Sequence, residues 1–239
     1  MKTDQASPAF SRDVAKRTHR GRKAYVMCSP KNGSVEVRLE SALEQQIAQA
    51  FELDPRVKAY RAQPFMLDLS TGERLARKPQ RKPLDAVYYT PDFAVDIPGL
   101  DLVVEVKPHQ HLAAHAELHN EVRRCLLAQG TRFMTLSEQT LPPCYLRNLQ
   151  VLLPYLKQPE EVLQGWASAL LARDPEQLHG PVRSVLQGLN PLSYYVVAGV
   201  LLGILQVDPQ QHLLESLDFN VAPALGSLAA FEVIDYARQ

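Results

Sequence analysis

Three charged residues stand where the core of a β-sheet is expected. In YYTPDFAVDIPGLDLVVEVKP, residues 88–108, Asp92, Glu105 and Lys107 interrupt runs of Val, Ile and Phe. Strand side chains alternate between the faces of a sheet, so Val103, Glu105 and Lys107 share one face and Val104 and Val106 the other. An unpaired charge in a dry interior is costly. A Glu105–Lys107 ion pair is the simplest compensation, and it is purely structural. Asp92 adds a second carboxylate. A hairpin around Pro98-Gly99 brings the start of the first strand to the end of the second, and so Asp92 to Glu105 and Lys107. Two converging carboxylates repel unless a cation lies between them. Oxygen donors without Cys or His suit Mg²⁺, with Mn²⁺ as a substitute, and Mg²⁺ retains positions for water and phosphate oxygens. A lysine alongside polarises an attacking water or neutralises charge growing on phosphorus.

The elements that position these groups are legible on both sides. AYVMCSPKNGSVEVRL reads as two alternating strands around Asn32-Gly33, a strong hairpin signal. SALEQQIAQAFELDP places Leu43, Ile47, Ala50 and Phe51 at helical spacing, with Ser41 as cap and Pro55 beyond the end. VKAYRAQPFMLDLS returns to strand composition, and GERLARKPQRKP is a loop with Arg74, Arg77, Lys78, Arg81 and Lys82. After the central strands, HLAAHAELHNEVRRCLLAQG predicts an amphipathic helix stopped by Gly130, and RFMTL one more strand. From residue 137 the pattern is mostly helical, at 145–156, 159–172, 181–188 and 192–206, followed by a strand-like HLLESLDF. The expectation is an α/β chain: a flexible basic arm over 1–22, a mixed central sheet with flanking helices over 23–136, and a helical, winged-helix-like domain over 137–239.

Composition bounds the function classes. The 239 residues are 46% apolar and 22% charged with zero net charge, ordinary for a soluble domain. The balance is uneven along the chain. Residues 1–40 carry nine Lys/Arg against four Asp/Glu, and residues 160–239 three against nine. The basic front suits phosphates, whereas the acidic back suits a basic protein partner. Three cysteines without a CxxC pair argue against a disulfide framework or zinc ribbon and for a reducing cytosol. The first twenty residues lack an apolar h-region, and YYVVAGVLLGIL, residues 194–205, is shorter than the roughly 20 residues of a membrane span. His111, His115 and His119 share a helical stripe, read as a solvated or DNA-facing face in preference to a zinc site. Trp166 reads as core.

Pro91-Asp92 followed by Glu105-x-Lys107 is the pattern of the PD-(D/E)xK nucleases, and Glu44 supplies the upstream helical Glu that accompanies it. Ser41-x-x-Glu44 is also a capping box, so a plain helix-cap role for Glu44 stays open. The order SVEVRLESALEQQIAQAFELDPRVKAYRAQP, YTPDF, VVEVKP and RFMTLSEQTL…LRNLQVLLPYL resembles TnsA, the endonuclease subunit of heteromeric transposons, over about residues 33–157. The resemblance implies a restriction-endonuclease-like fold with Glu44, Asp92, Glu105 and Lys107 as catalytic residues. Asp92, Glu105 and the Val106 carbonyl would hold Mg²⁺, and Gln63 is a further candidate for the same cleft. Gln63, Arg77, Lys78, Arg81 and Lys82 are the candidate DNA contacts. The implied activity is cleavage of the 5′ strands at transposon ends, beside a DDE-type transposase and an AAA+ ATPase regulator, in a bacterial cytoplasmic, nucleoid-associated setting. A stand-alone restriction or repair nuclease and a non-catalytic scaffold are the rival readings.

Overall fold

The strands that bring Asp92 and Glu105 together lie in the middle of a four-stranded sheet. The computed structural model describes residues 24–76, 79, 86–158 and 160–237. The basic arm and Arg77, Lys78, Arg81 and Lys82 lie outside the described residues. The chain begins with β1 (Tyr25–Ser29), β2 (Val35–Leu39), α1 (Ala42–Leu53), β3 (Ala59–Ala62), β4 (Met66–Asp68), β5 (Arg74–Leu75) and β6 (Tyr88–Tyr89). It continues with β7 (Phe93–Ile97), β8 (Leu100–Val106), α2 (His109–Leu112), α3 (Ala116–Leu127) and β9 (Arg132–Leu136).

The central sheet has the order β3-β7-β8-β9 and is mixed, because only the β8–β9 pair is parallel. β7 and β8 are joined by Pro98 and Gly99 alone, with Ile97 opposite Leu100. Gly99 has φ 77, which fits the third position of a type II turn after proline. A parallel pair needs a long crossover, here supplied by α2, a 3-10 turn at Ala113–His115 and α3. That turn splits the single helix predicted for this stretch.

Alternation along β7 and β8 builds two apolar layers. On one face Phe93 meets Phe51 of α1 edge-on at 5.5 Å, and Phe51 also packs on Tyr60 at 5.4 Å. On the other face Val103 joins Phe65, Leu67, Leu69, Tyr89, Val122, Leu126 and Phe133. Leu67 and Tyr89 reach this layer from a small sheet of order β5-β4-β6. The β1–β2 hairpin closes through a 3-10 turn at Pro30–Asn32 and Gly33, as its Asn-Gly predicts. It is tied to α1 by buried Glu52, which accepts hydrogen bonds from Ser29 Oγ, from Tyr60 OH at 2.6 Å and from the Lys31 N–H at 3.2 Å.

The described chain divides into two units. One holds the residues up to Glu52, Arg56–Thr140 and the end from Tyr236; the other holds Leu53–Pro55 and Leu141–Asp235. The second contains α4 (Pro143–Leu152), α5 (Glu160–Leu171), β10 (Gly180–Pro181), α6 (Val182–Val185), α7 (Leu192–Leu201), β11 (Leu205–Gln206) and β12 (Asn220–Pro223). Its strands form one antiparallel sheet of order β10-β12-β11.

Three local expectations fail in this unit. The helix expected over 192–206 stops at Leu201. At Gly203 (φ 64) an added Cβ would fall 2.8 Å from the Gly226 carbonyl carbon, so the chain turns where another backbone passes. HLLESLDF is no strand. It forms a 3-10 turn at Leu214–Ser216 and then a left-handed Leu217 (φ 52). Its backbone is satisfied by buried Asn148, which accepts from the Leu214 N–H at 2.9 Å and donates to the Pro209 and His212 carbonyls at 2.8 and 2.7 Å. Trp166 is half-buried in a ring cluster with Tyr155 and Tyr194, at 6.0 and 4.6 Å, instead of sealed in the core. Among the described residues no helix is long and apolar enough to cross a membrane. The whole is a mixed α/β structure with several helices.

Candidate active site

Strand register brings the predicted charges together. Phe93 pairs with Val104, so Asp92 one residue earlier lies at the level of Glu105 one residue later. β7 begins only at Phe93, because Pro91 has no N–H to give a ladder. Asp92 continues the pairing with its side chain, and Oδ2 accepts the Val106 N–H at 2.7 Å. The Val106 N–H therefore helps to place Asp92. Gln63 is brought alongside: it is buried, has φ 40, and its N–H donates to the Asp92 carbonyl at 2.9 Å.

Glu105 is 3% exposed and has a partner on each oxygen. Lys107 Nζ donates to Oε1 at 2.6 Å and the Tyr89 hydroxyl to Oε2 at 2.5 Å. The ion pair weighed as the structural explanation is thus formed. The cap role of Glu44 is also formed. The Glu44 N–H donates to Ser41 Oγ at 3.1 Å, and the Ser41 hydroxyl donates to Glu44 Oε1 at 2.8 Å. The Glu40 N–H donates to Oε2 at 2.9 Å. Ser41→Ala is expected to lower the unfolding free energy by about 1 kcal/mol, read from urea denaturation. An unchanged midpoint would mean that Glu44 holds the helix start without the hydroxyl.

The electrostatics show that these residues feel one another. Burial pushes the Asp92 carboxyl well above the usual carboxylate range, and the charges of Glu105 and Glu44 push it further, outweighing the Val106 N–H and Lys107. Glu44 is raised as well, first by burial and also by Glu40 and Glu105, against its cap hydrogen bonds. Burial alone would lower Lys107, yet Glu105, Asp92 and Glu44 raise it, so the ammonium stays charged. The phenol of Tyr89 is held neutral by burial and by the Glu105 charge. Three carboxylates and one ammonium thus share a poorly solvated corner of the sheet.

That donor set fits Mg²⁺ by type: hard oxygens, a surplus of negative charge, and no thiolate or imidazole needed. The Asp92 and Glu105 oxygens hold their N–H and O–H partners and keep further lone pairs for a cation. Among the described residues, no three His, Cys, Asp or Glu side chains are grouped as a ready metal cage. A groove of about 960 Å³ elsewhere in this unit is lined by Val35, Val37, Arg61, Asp96 and Asp101, and none of Asp92, Glu105 or Lys107 borders it. Asp92 and Glu44, the two carboxyls raised by burial and by neighbouring charge, are not among the residues that line that groove.

Two residues near this corner were not assigned to it from sequence. Tyr89 sits three positions before Asp92 in an apolar run. The available signal was chemical: a buried tyrosine, unlike phenylalanine, needs a partner for its hydroxyl. His119 belongs by its spacing to the stripe expected to be solvated or DNA-facing. Instead it is buried, 5.8 Å from the Phe133 ring and stacked on His115 at 5.7 Å, while His111 is exposed. Burial lowers its pKa although Glu105 opposes the shift. The stripe is therefore graded from solvent to core by the packing of α3 on β9. No protein-family model matches this chain, and a search of curated proteins finds no match.

Proposed function

We propose that this chain is a Mg²⁺-dependent DNA endonuclease, the TnsA-like subunit of a heteromeric transposase that cuts the 5′, non-transferred strands at transposon ends. The observation that carries this reading is the meeting of Asp92, Glu105 and Lys107 across the β7–β8 pair, with the Glu44 charge acting on both acids. The mixed sheet with α1 and α3 on opposite faces supports a restriction-endonuclease-like core. The helices and small sheet of the second unit support a winged-helix-like reading. Its acidic balance suits docking on a basic protein surface, such as that of an AAA+ regulator, better than reading DNA.

Asp92 and Glu105 would hold the ion, with the Val106 carbonyl as a third donor. When bound, Mg²⁺ supplies Lewis acidity toward water and the phosphoryl oxygens. Lys107 keeps its charge and gives one N–H to Glu105, which leaves two for a phosphoryl oxygen or the attacking water. The Val106 N–H orients Asp92, and Tyr89 orients Glu105. In the reaction the water oxygen bonds to phosphorus in line with the 3′ oxygen and the P–O3′ bond breaks. One water proton passes to solvent and the 3′ oxygen takes one up. The products are a 5′-phosphate and a 3′-hydroxyl.

The test is strand-specific nicking of duplexes that carry the element termini, with the purified chain and its DDE-type partner, in Mg²⁺ and in chelator. Nicking of the 5′ strands only in Mg²⁺ is expected, reduced roughly 10²–10³-fold by Lys107→Ala. Unchanged nicking by that variant would remove Lys107 from the mechanism. Cleavage by this chain without the partner would favour the stand-alone nuclease. A second reading is favoured by one observation: the Glu105 ion pair and the Glu44 cap are complete within the protein, as a non-catalytic scaffold would require. Absence of Mg²⁺-dependent 5′-strand nicking in an assembled system whose partner still cuts the 3′ strands would select it.

A further inference from the structure

Tyr89 lies at the border between the apolar layer and the charged corner. The residue is 8% exposed, and its ring packs in the cluster of Phe65, Leu67, Val103, Val122 and Phe133, with its centroid 6.3 Å from that of Phe133. β6 holds it there by pairing with β4, Tyr89 opposite Leu67. For packing alone, phenylalanine would fill this place, since only the hydroxyl leaves the apolar layer. That hydroxyl donates to Glu105 Oε2 at 2.5 Å, while Lys107 holds Oε1. A free glutamate turns about three side-chain torsions. Glu105, gripped at both oxygens, presents one fixed set of remaining lone pairs.

We propose that Tyr89 is a positioning residue of this site, which acts through Glu105 by fixing the carboxylate in the orientation that receives a divalent cation. This rests on the metal-dependent reading above. Carboxylate ligands are themselves oriented by hydrogen-bond donors, and loss of such a donor typically weakens metal affinity about 10–100-fold. The donor here is a rigid phenol from a different sheet, so the small β5-β4-β6 sheet has a task at the site although it carries none of its charges.

The experiment uses the full chain and Mn²⁺ alone as the probe, with binding followed by electron paramagnetic resonance and folding by thermal unfolding. Tyr89→Phe keeps the ring and is expected to bind Mn²⁺ about 10–100-fold more weakly, with nicking recovering toward the wild-type rate as Mn²⁺ is raised. p-Aminophenylalanine at position 89 restores an N–H donor and is expected to restore affinity; if Tyr89→Phe proves unstable, p-fluorophenylalanine, which fills the place of the hydroxyl without a donor, decides the matter, and wild-type affinity in it would overturn the role. Asp92→Ala is the reference. If it loses Mn²⁺ binding while Tyr89→Phe binds as the wild type does, the role of Tyr89 is overturned and the metal site stands. If Asp92→Ala binds as the wild type does, the metal site is overturned, and the role of Tyr89 with it.

Discussion

Asp92→Asn is expected to abolish strand cleavage and, at neutral pH, to make the chain more resistant to heat. Both effects come from the same charge. A raised folded-state pKa means that the folded protein holds the Asp92 proton more tightly than the unfolded chain does. The contribution is therefore favourable below the unfolded value of about 3.9 and is lost as pH rises through the folded value. Ionising Asp92 in the folded protein sets a poorly solvated charge beside those of Glu105 and Glu44. The amide removes that charge, and its oxygen still accepts the Val106 N–H. Each kcal/mol gained raises Tm by about 2–4 °C in a chain of this size. The difference between variant and wild type should shrink toward pH 4. Mg²⁺ should raise the Tm of the wild type and leave that of the variant unchanged, while nicking falls about 10³-fold or more. A lower Tm for Asp92→Asn at pH 7.5 would contradict the charge crowding inferred here.

The largest loss of stability is expected one residue further along. Phe93 is fully buried at the start of β7, edge-on to Phe51 and 6.1 Å from Tyr60. Truncation to alanine leaves a cavity between α1 and the sheet that the surrounding rings cannot fill without leaving their rotamers. The expected cost is about 3–5 kcal/mol, measured by urea unfolding. Because Phe93 anchors the strand next to Asp92, Mg²⁺ binding should weaken in the same variant even where it remains folded. A cost below about 1 kcal/mol would mean that α1 does not rest on this strand as described.

The charged corner was readable because it depends on short-range regularities. Period-two alternation places Glu105 and Lys107 on one face, and the Pro98-Gly99 turn fixes which residues of β7 they meet. The hairpin at Asn32-Gly33 and the helix after Ser41 follow from similarly local signals. Tyr89 and His119 were opaque because their neighbours arrive from distant sequence, through the small sheet and the crossover helix. In the second unit, local composition pointed the wrong way. The apolar residues of HLLESLDF resemble a strand, but the side chain of Asn148, more than sixty positions away, supplies the hydrogen bonds that a ladder would have given. Residues 192–206 are apolar nearly throughout, so periodicity marks no end. The stop is set by the passage of Gly226 beside Gly203.

The return of the chain end to the first unit bears on how that unit can be isolated. Arg56 stacks on the Tyr236 ring at 4.7 Å, and Arg132 of β9 donates to the Ala237 carbonyl at 2.6 Å. Both clasps join residues separated by nearly the whole of the other unit. A polypeptide truncated after Thr140 would keep every strand of the central sheet yet lose its own fastening. A gene-shortening strategy would do better to bridge Thr140 to Tyr236 with a linker than to end the reading frame there.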